Sequence, residues 1–349
     1  MTMNATGSNL NATAPTVDIS GEGYVDMVGI KALKTIVIVI ISLAIILSNF
    51  INITVLRTTQ QIPKVAKIFL TNLGVADLCV GLVTCLPCVV SASTGAWPYG
   101  IIWCQIAGIL HGTCVTVSIW TLAVVSIERF FAVIYPLKYK NKLNRNKCVV
   151  ILVFLWTAAL ISFISPMFTV SDFIYYHFTP GNSMCGMYWE NIWLCIATGV
   201  YIPILSGGII LFTTVSITRA LKKSRPIGNQ VAPASNNSGA GKGNKKQKDE
   251  KAVMVLITTT LVFFTLWGPY VAMVYAAAFD HNVILPPWLE FVLTWMANSN
   301  SFVNVIIYSA IYEAFRTEAK ALILATLRCR CYVKRPTAQQ SNYTDGSVS

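Results

Sequence analysis

The stretch IIWCQIAGILHGTCVTVSIWTLAVVSIER (residues 101–129) decides the fold of this chain. Before Glu128 it contains no Asp, Glu, Lys or Arg, and His111 is its one residue that titrates near neutral pH. A helix rises about 1.5 Å per residue, and about 20 apolar residues cross the hydrocarbon core of a bilayer. The charged pair Glu128–Arg129 at the end of this run is either an anchor at a membrane face or part of a switch.

The composition of the whole chain requires lipid as a solvent. Of its 349 residues, 55% are hydrophobic and only 11% are charged, whereas soluble proteins usually have about 25% charged residues. Seven stretches are long and apolar enough to span a bilayer, and Asp77 is the one acidic residue within them. They are Thr35–Leu56, Ile68–Val90, Ile101–Ile127, Cys148–Ser171, Asn191–Thr218, Ala252–Phe279 and Phe291–Tyr312. We therefore predict an all-α membrane protein, a seven-transmembrane helix bundle.

The basic residues predict the orientation of this bundle. Of 26 Lys and Arg, all except Lys31 and Lys34 fall on one side of the predicted spans. Basic loops stay in the cytoplasm, so we expect a multi-pass plasma-membrane protein with an extracellular N-terminus. The net charge of +12 is then an orientation signal with some attraction to anionic lipid, and nucleic acid is not expected as a partner.

The ends of the chain are polar. Residues 1–34 lack the apolar core of a cleavable signal peptide, so they are predicted to be an extracellular tail before an uncleaved first span. Asn4 and Asn11 begin Asn-X-Thr triplets in this tail and are candidate glycosylation sites.

The membrane domain is predicted at residues 35–312, and two cytoplasmic segments follow it. Its third intracellular loop, about 222–248, is rich in Gly, Ser, Asn and Lys and is predicted to be disordered. A short amphipathic cytoplasmic helix is expected at 313–327, with a cytoplasmic tail at 328–349. Cys329 and Cys331 in that tail are either palmitoylated or free thiols. No internal repeat is visible, which argues against a transporter built from duplicated halves.

Asp77 is the first candidate functional residue, because a charge in hydrocarbon costs a few kcal/mol and needs partners inside the bundle. Polar residues of other spans are available, namely Asn49, Ser118, Asn300, Ser301 and Asn304. Such an oxygen-rich set suits a small hard cation, or it is a hydrated polar network that joins helices.

Prolines and cysteines supply further candidates. Pro203 and Pro269 lie inside spans, where proline removes a backbone hydrogen bond and bends the helix. Phe263 and Trp267, one turn apart beside Pro269, are either core aromatics or part of a hinge. Cys104 and Cys185 lie on the oxidising side, where a disulfide between them is possible.

Taken in order, these residues resemble the rhodopsin-class (class A) G-protein-coupled receptors over about residues 35 to 330. The residues that carry the resemblance are Asn49, Leu73, Asp77, Cys104, Glu128, Arg129, Phe130, Trp156, Pro203, Phe263, Trp267, Gly268, Pro269, Asn304 and Tyr308. Within the class, the third span and TWMANSNSFVNVIIYS (residues 294–309) look closest to amine-receptor-like orphan receptors.

The resemblance implies a role for the opening Glu128–Arg129 pair. Arg129 is expected to be a switch, held at rest by Glu128 and by Asp249 and turned on activation toward a heterotrimeric G protein. Further switch residues implied by the family are Phe130, Leu137, Asn304 and Tyr308. The family also implies arrestin and receptor kinases as partners, and no catalytic centre, so the protein is not expected to be an enzyme.

The same resemblance assigns the remaining candidates to sites. Asn49, Asp77, Ser118, Asn300, Ser301 and Asn304 are expected to form an allosteric sodium pocket. Ile119, Pro203, Phe263, Trp267 and Pro269 are expected to connect the ligand pocket to the cytoplasmic face. Cys104 and Cys185 are expected to form the disulfide between the third span and the second extracellular loop.

Three positions depart from the family pattern. Val305 stands where the family has proline, Leu211 where most relatives carry a tyrosine that stabilises the active state, and Phe130 where tyrosine is usual. The seventh helix is therefore expected to be straighter than in relatives, which puts the usual inward swing of Tyr308 in question.

The ligand is not named by the sequence. His111 replaces the Asp that pairs with amines, and Asn298 replaces the lysine that binds retinal, so a standard amine site and covalent retinal are excluded. By family position, the pocket lining is expected to include His111, Val115, Trp193, Cys195, Tyr270, Glu290, Thr294, Trp295 and Asn298.

Three functions are consistent with these patterns. The first is a receptor that converts extracellular binding into G-protein activation. The second is a constitutively active receptor whose aromatic loop DFIYYHFTPGNSMCGMYWEN (residues 172–191) fills its own cavity. The third, a transporter or channel, lacks the rows of membrane charge or broken helices that would favour it.

Overall fold

The computed structural model describes residues 21–59, 62–139, 143–169, 175–187, 200–223, 239–279 and 285–327. Several predicted site residues lie outside these ranges: Asn4, Asn11, Trp193, Cys195, Cys329 and Cys331. The side chains of Leu137 and Asp249 also lie outside the described part. The predictions made for these residues therefore stay predictions.

The described chain is a bundle of long helices with one short hairpin on its outer end, the end predicted to be extracellular. The helices are α1 (Gly21–Thr58), α2 (Lys64–Thr94), α3 (Gly100–Ile134), α4 (Arg145–Ile164), α5 (Leu205–Lys223), α6 (Gly239–Phe279), α7 (Pro287–Ile311) and α8 (Glu313–Leu327). The strands are β1 (Tyr176–Thr179) and β2 (Met184–Met187), paired antiparallel. Single helical turns at Pro136–Tyr139 and Pro166–Thr169 follow α3 and α4.

The first helix is longer than the sequence predicted. It begins at Gly21, so the end of the segment predicted as an extracellular tail (residues 1–34) is helical. Hydropathy marks only the part of a helix that lies in lipid, and no proline between Gly21 and Thr35 stops the helix.

Six helices of the described chain, α1 to α6, are long and apolar enough to cross a membrane. The seventh predicted span is present as α7, which packs against α1 and α6, but it is more polar than the others. Its polarity lies on its buried face, where Asn298, Asn300 and Asn304 are enclosed by neighbouring helices. The bundle therefore has seven helices, and the seventh carries polar side chains into the interior.

Helix α2 is not regular along its length. A π turn at Val80–Cys85 interrupts it just before Pro87, and such a turn shifts every later residue around the helix axis. The helix ends at Gly95, whose φ of 78° is left-handed and suits glycine.

Polar side chains that are buried or half-buried join α2, α3 and α4. The indole nitrogen of Trp156 on α4 donates to the Asn72 side chain on α2 at 2.8 Å. The Asn72 amide in turn donates to the hydroxyl of Thr121 on α3 at 2.9 Å. Hydrogen bonds between membrane helices fix their mutual positions, so α2, α3 and α4 form a braced frame around which α5, α6 and α7 are placed.

Candidate functional site

A cavity of about 150 Å³ lies in the outer half of the bundle, below the hairpin. Helices α3 and α6, the π turn at Val200–Ile204 before α5, and the hairpin contribute most of its lining. The residues include His111, Val115, Ile119, Tyr176, Met184, Pro203, Phe263, Trp267, Tyr270 and Val274. This is where the family resemblance places a ligand.

The hairpin forms one wall of the cavity. The Cys104–Cys185 disulfide implied by the resemblance is present and ties β2 to α3. Tyr176 of β1 is 1% exposed, and its hydroxyl donates to the Phe163 carbonyl of α4 at 2.7 Å. Its ring lies so close to α3 that a Cβ built on Gly108 would come within 2.2 Å of it. The middle of the aromatic loop is therefore inserted between helices and does not simply cover them.

The turn of the hairpin is latched to α1 and α7. The Lys34 ammonium donates to the carbonyls of Pro180 at 3.1 Å and Gly181 at 2.7 Å. On the other side of the turn, the Asn182 amide donates to Glu290 at 3.3 Å, and the Trp295 indole donates to the Asn182 carbonyl at 2.9 Å. Three side chains from two helices thus hold three consecutive residues of the hairpin.

His111 is held from behind the cavity wall. Its Nε2 lies 2.8 Å from Oδ1 of Asn298, and the Asn298 amide donates to the Thr294 carbonyl at 3.0 Å. Since Asn298 uses its N–H on Thr294, its oxygen accepts, and His111 donates through Nε2. The neutral ring then carries its lone pair on Nδ1, an acceptor that has no partner among the described residues.

The structure divides the residues predicted for the ligand pocket into two groups. His111, Val115 and Tyr270 line the cavity as predicted. Four other residues predicted for the lining are not part of it, namely Glu290, Thr294, Trp295 and Asn298. They stand behind it, where they hold His111 or the hairpin turn, because the hairpin occupies the space into which α7 would otherwise face. The insertion of the hairpin cannot be predicted from the periodicity of the sequence.

The residues predicted to connect the cavity with the cytoplasmic half come together at its floor. Ile119, Pro203, Phe263 and Trp267 all line the lower cavity. The rings of Phe263 and Trp267 stack with centroids 6.4 Å apart, and Tyr270 meets Trp267 edge-on at 5.7 Å. Pro269 lies within α6 beside them, so the aromatic cluster adjoins a point where the helix lacks a backbone hydrogen bond.

Asp77 is buried at the centre of the bundle with the predicted oxygen-rich neighbours. Asn304 donates to its Oδ2 at 3.4 Å, and Ser118 and Ser301 lie beside the carboxylate. Its Oδ1 and the Ser118 hydroxyl are both buried without a well-formed hydrogen bond among the described residues. These unsatisfied oxygens fit the coordination that a small hard cation requires.

Two members of the predicted sodium pocket, Asn49 and Asn300, do not bond to Asp77 as Asn304 does. The Asn49 amide donates to the Ser301 carbonyl at 2.8 Å, so it braces the backbone that carries a pocket residue. Asn300 is buried on α7. Neither is a hydrogen-bond partner of Asp77 in the described structure.

At the inner end of α3, Glu128 and Arg129 form a buried ion pair with two hydrogen bonds. Their side chains are only 2% and 13% exposed, which does not suit an anchor that reaches into lipid headgroups. Tyr139, in the turn after α3, donates its hydroxyl to the same Glu128 carboxylate. Tyr139 was not among the residues predicted for the switch, because its only signal in the sequence is a hydroxyl soon after a charged pair.

Of the remaining residues near the proposed switch, Phe130 and Tyr308 pack against other aromatic rings, whereas Leu211 is exposed. Phe130 packs against Phe131, Tyr135 and Phe212, which ties α3 to α5. Tyr308 is buried and meets Phe315 of α8 edge-on. Leu211, which occupies the place of the family's bridging tyrosine, is 56% exposed on α5. Its side chain therefore faces away from the interior of the bundle.

Comparison with known proteins agrees with this arrangement. The family model described as 7 transmembrane receptor (rhodopsin family) matches residues 48–308. The chain is 23% identical over 311 residues to G-protein coupled receptor 161 of Xenopus tropicalis, an alignment of 82% of this chain and 60% of that protein. It is 27% identical over 312 residues to G-protein coupled receptor 52 of Bos taurus, across 86% and 84% of the two chains.

A third relative is the Tachykinin-like peptides receptor 86C of Drosophila melanogaster, 26% identical over 317 residues, or 87% of this chain and 60% of that protein. The chain thus spans about 60% of the length of some of the relatives it matches. The rhodopsin-class assignment made from the motifs is confirmed, while the amine-receptor-like subgroup stays a prediction.

Proposed function

This chain belongs to the 7 transmembrane receptor (rhodopsin family), and on that premise we propose that it converts an extracellular signal into nucleotide exchange on a heterotrimeric G protein. The family is one of multi-pass plasma-membrane receptors and not of enzymes. The observation that carries the proposal is the buried Glu128–Arg129–Tyr139 cluster at the inner end of α3. A desolvated ion pair at a cytoplasmic face suits a switch that opens when a partner supplies better contacts to the arginine.

The proposed transmission runs from the cavity to this cluster through α6. A group that enters the cavity contacts Trp267, which stacks on Phe263 beside Pro269. Displacement of these rings favours an outward pivot of the inner half of α6, and Arg129 is then free to turn toward the G protein. A ligand shifts this equilibrium only by its preference for the open arrangement.

Sodium is the proposed allosteric ion of this receptor. Asp77, Ser118, Ser301 and Asn304 would hold it, and it would supply a positive charge that neutralises the buried carboxylate. The unsatisfied Oδ1 of Asp77 supports this assignment over a purely structural polar network. Between α2, α3 and α7, a bound cation favours the arrangement in which these three helices stay together.

A second candidate function is basal signalling without an added ligand. The observation that favours it is the inserted hairpin, whose Tyr176 is buried against Gly108 and whose turn is latched by Lys34. In this version the hairpin occupies the place of an agonist, and expression level sets the output.

The test is G-protein dissociation in cells without added ligand, for wild type and Arg129→Ala at equal surface expression. Arg145→Ala is the matched control, because Arg145 is an exposed cytoplasmic arginine at the start of α4. Loss of basal signal in Arg129→Ala alone is expected. Equal signal in all three proteins would overturn the switch role, whichever of the two candidates applies.

A further inference from the structure

We propose that the cavity below the hairpin binds an uncharged ligand with one aromatic ring and a hydrogen-bond acceptor directed at Trp267. This inference rests on the proposed function, because it names the class of molecule that would act at the same site. It follows from the charge, the size and the unsatisfied polar groups of the cavity.

Among the described residues that line the cavity, none could pair with a charged ligand. None of the lining residues in the described structure is Asp, Glu, Lys or Arg. Two charged groups of the described outer end, Lys34 and Glu290, already bind the hairpin turn through Gly181 and Asn182. An ammonium or carboxylate would therefore lose its hydration here without an ion pair, which is far more costly than the transfer of a neutral group.

The size of the cavity limits the ligand to a small ring system. An apolar protein cavity of roughly 150 Å³ holds a molecule the size of benzene, and the cavity here measures about 150 Å³. Its floor is aromatic, and the Trp267 ring contacts both Phe263 and Tyr270. Aromatic rings attract another ring in stacked or edge-on geometry beyond the area that they bury.

Two polar groups then orient the ring. Nε1 of Trp267 is buried and has no hydrogen-bond partner among the described residues, although buried indole N–H groups usually have one. A carbonyl or ether oxygen on the ligand would satisfy this donor. The bond from His111 to Asn298 leaves Nδ1 of the same imidazole as an acceptor, which suits a hydrogen-bond donor as a second substituent on the ring.

The test uses three probes of nearly equal shape, with receptor in lipid nanodiscs and binding read by saturation-transfer NMR. Acetophenone carries the acceptor, isopropylbenzene lacks it, and 1-phenylethylammonium replaces it with a positive charge. A Val274→Trp variant, which fills the cavity from α6, corrects for partition of the probes into lipid. Thermal unfolding establishes that each variant is folded, and Val115→Phe is the substitute if Val274→Trp is not.

We expect acetophenone to bind wild type and not the filled variant, and the ammonium probe to bind at least about tenfold more weakly. Trp267→Phe should weaken acetophenone about fivefold, the value of one hydrogen bond, and leave isopropylbenzene unchanged. The inference is overturned if the ammonium binds as tightly as acetophenone, if no probe binds, or if the filled variant retains binding. Loss of basal signal in Arg129→Ala is read separately, so the proposed function can stand when this inference fails.

Discussion

The Lys34 ammonium lies 2.7 Å from the Gly181 carbonyl oxygen, so a side chain of α1 holds the turn of the hairpin above the cavity. Lys34→Met keeps the length of the side chain and removes the donor. We expect hairpin amides between Tyr176 and Met187 to exchange with deuterium about fivefold faster, since a partly exposed bond of this kind contributes about 1 kcal/mol. Lys31→Met is the control, because Lys31 bonds to the Thr94 carbonyl and not to the hairpin. Equal acceleration in both variants would contradict the latch.

Gly108 is predicted to be essential for the insertion of Tyr176. A methyl group at Gly108 would lie 2.2 Å from the Tyr176 ring, so Gly108→Ala must displace the hairpin. We expect a loss of about 1–3 kcal/mol in stability, typical of an overpacked core, seen as a lower thermal midpoint. If the hairpin acts as a built-in agonist, basal signal falls as well.

The control for that experiment is Gly208→Ala, a helical glycine of α5 with open space at its Cβ. Both substitutions gain similar helix propensity, so a difference between them reports the contact with Tyr176. A Gly108→Ala receptor as stable as Gly208→Ala would show that the hairpin does not occupy this position.

Glu128→Gln is predicted to raise basal nucleotide exchange. The change removes the charge that holds Arg129, and hydrogen bonds to charged groups contribute about 1.5–3 kcal/mol. If half of that free energy distinguishes the closed from the open form, the open population rises about four- to tenfold while it is minor. The measurement is the rate of GTPγS binding to purified G protein at matched receptor concentration.

Tyr139→Phe should act in the same direction with a smaller effect. Burial and the neighbouring Glu128 raise the pKa of the Tyr139 hydroxyl above its ordinary value, so the phenol stays protonated and donates at neutral pH. Removing the hydroxyl deletes one bond to the carboxylate and leaves the ion pair. An effect on exchange larger than that of Glu128→Gln would contradict the order of these contributions.

Asp77→Asn is predicted to abolish the response to sodium. At ten times its dissociation constant, a ligand of the folded state stabilises it by about 1.4 kcal/mol. Wild-type receptor should therefore unfold at a higher temperature in sodium chloride than in choline chloride, and Asp77→Asn should not distinguish the two salts. A sodium shift that persists in the variant would place the ion elsewhere.

Much of the fold could be predicted because helices that cross a membrane require long apolar segments, which are easily recognised in a sequence. Each span needs a long apolar run, so the start of α3 and both ends of the short helix α8 agree closely with the prediction, whereas α3 continues seven residues beyond the predicted Ile127. Asp77 was identifiable for the same reason, since an acid in such a run requires partners. The extension of α1 to Gly21 was missed because hydropathy says nothing about helix outside the membrane.

The cavity could be predicted only in part. His111 and Tyr270 follow from helix positions counted from the motifs, whereas the contact of Tyr176 with Gly108 depends on where a loop folds back onto α3. That path is set by the Cys104–Cys185 disulfide and by the latch at Lys34, which join residues far apart in sequence. Hydrophobic periodicity and helix propensity carry no such information, so the position of Trp295 behind the cavity wall could not be predicted from the sequence.

Helix α7 continues without a break through Val305, the position where the family pattern has proline. The amide of Val305 is therefore positioned to bond the Ser301 carbonyl, the oxygen that Asn49 also uses. A helix with no proline at this point has no hinge there and moves as a rigid body. A displacement of Asn298, behind the cavity, then tilts the whole of α7 and so moves Tyr308 at its inner end. Because α8 packs against α7, it moves as well.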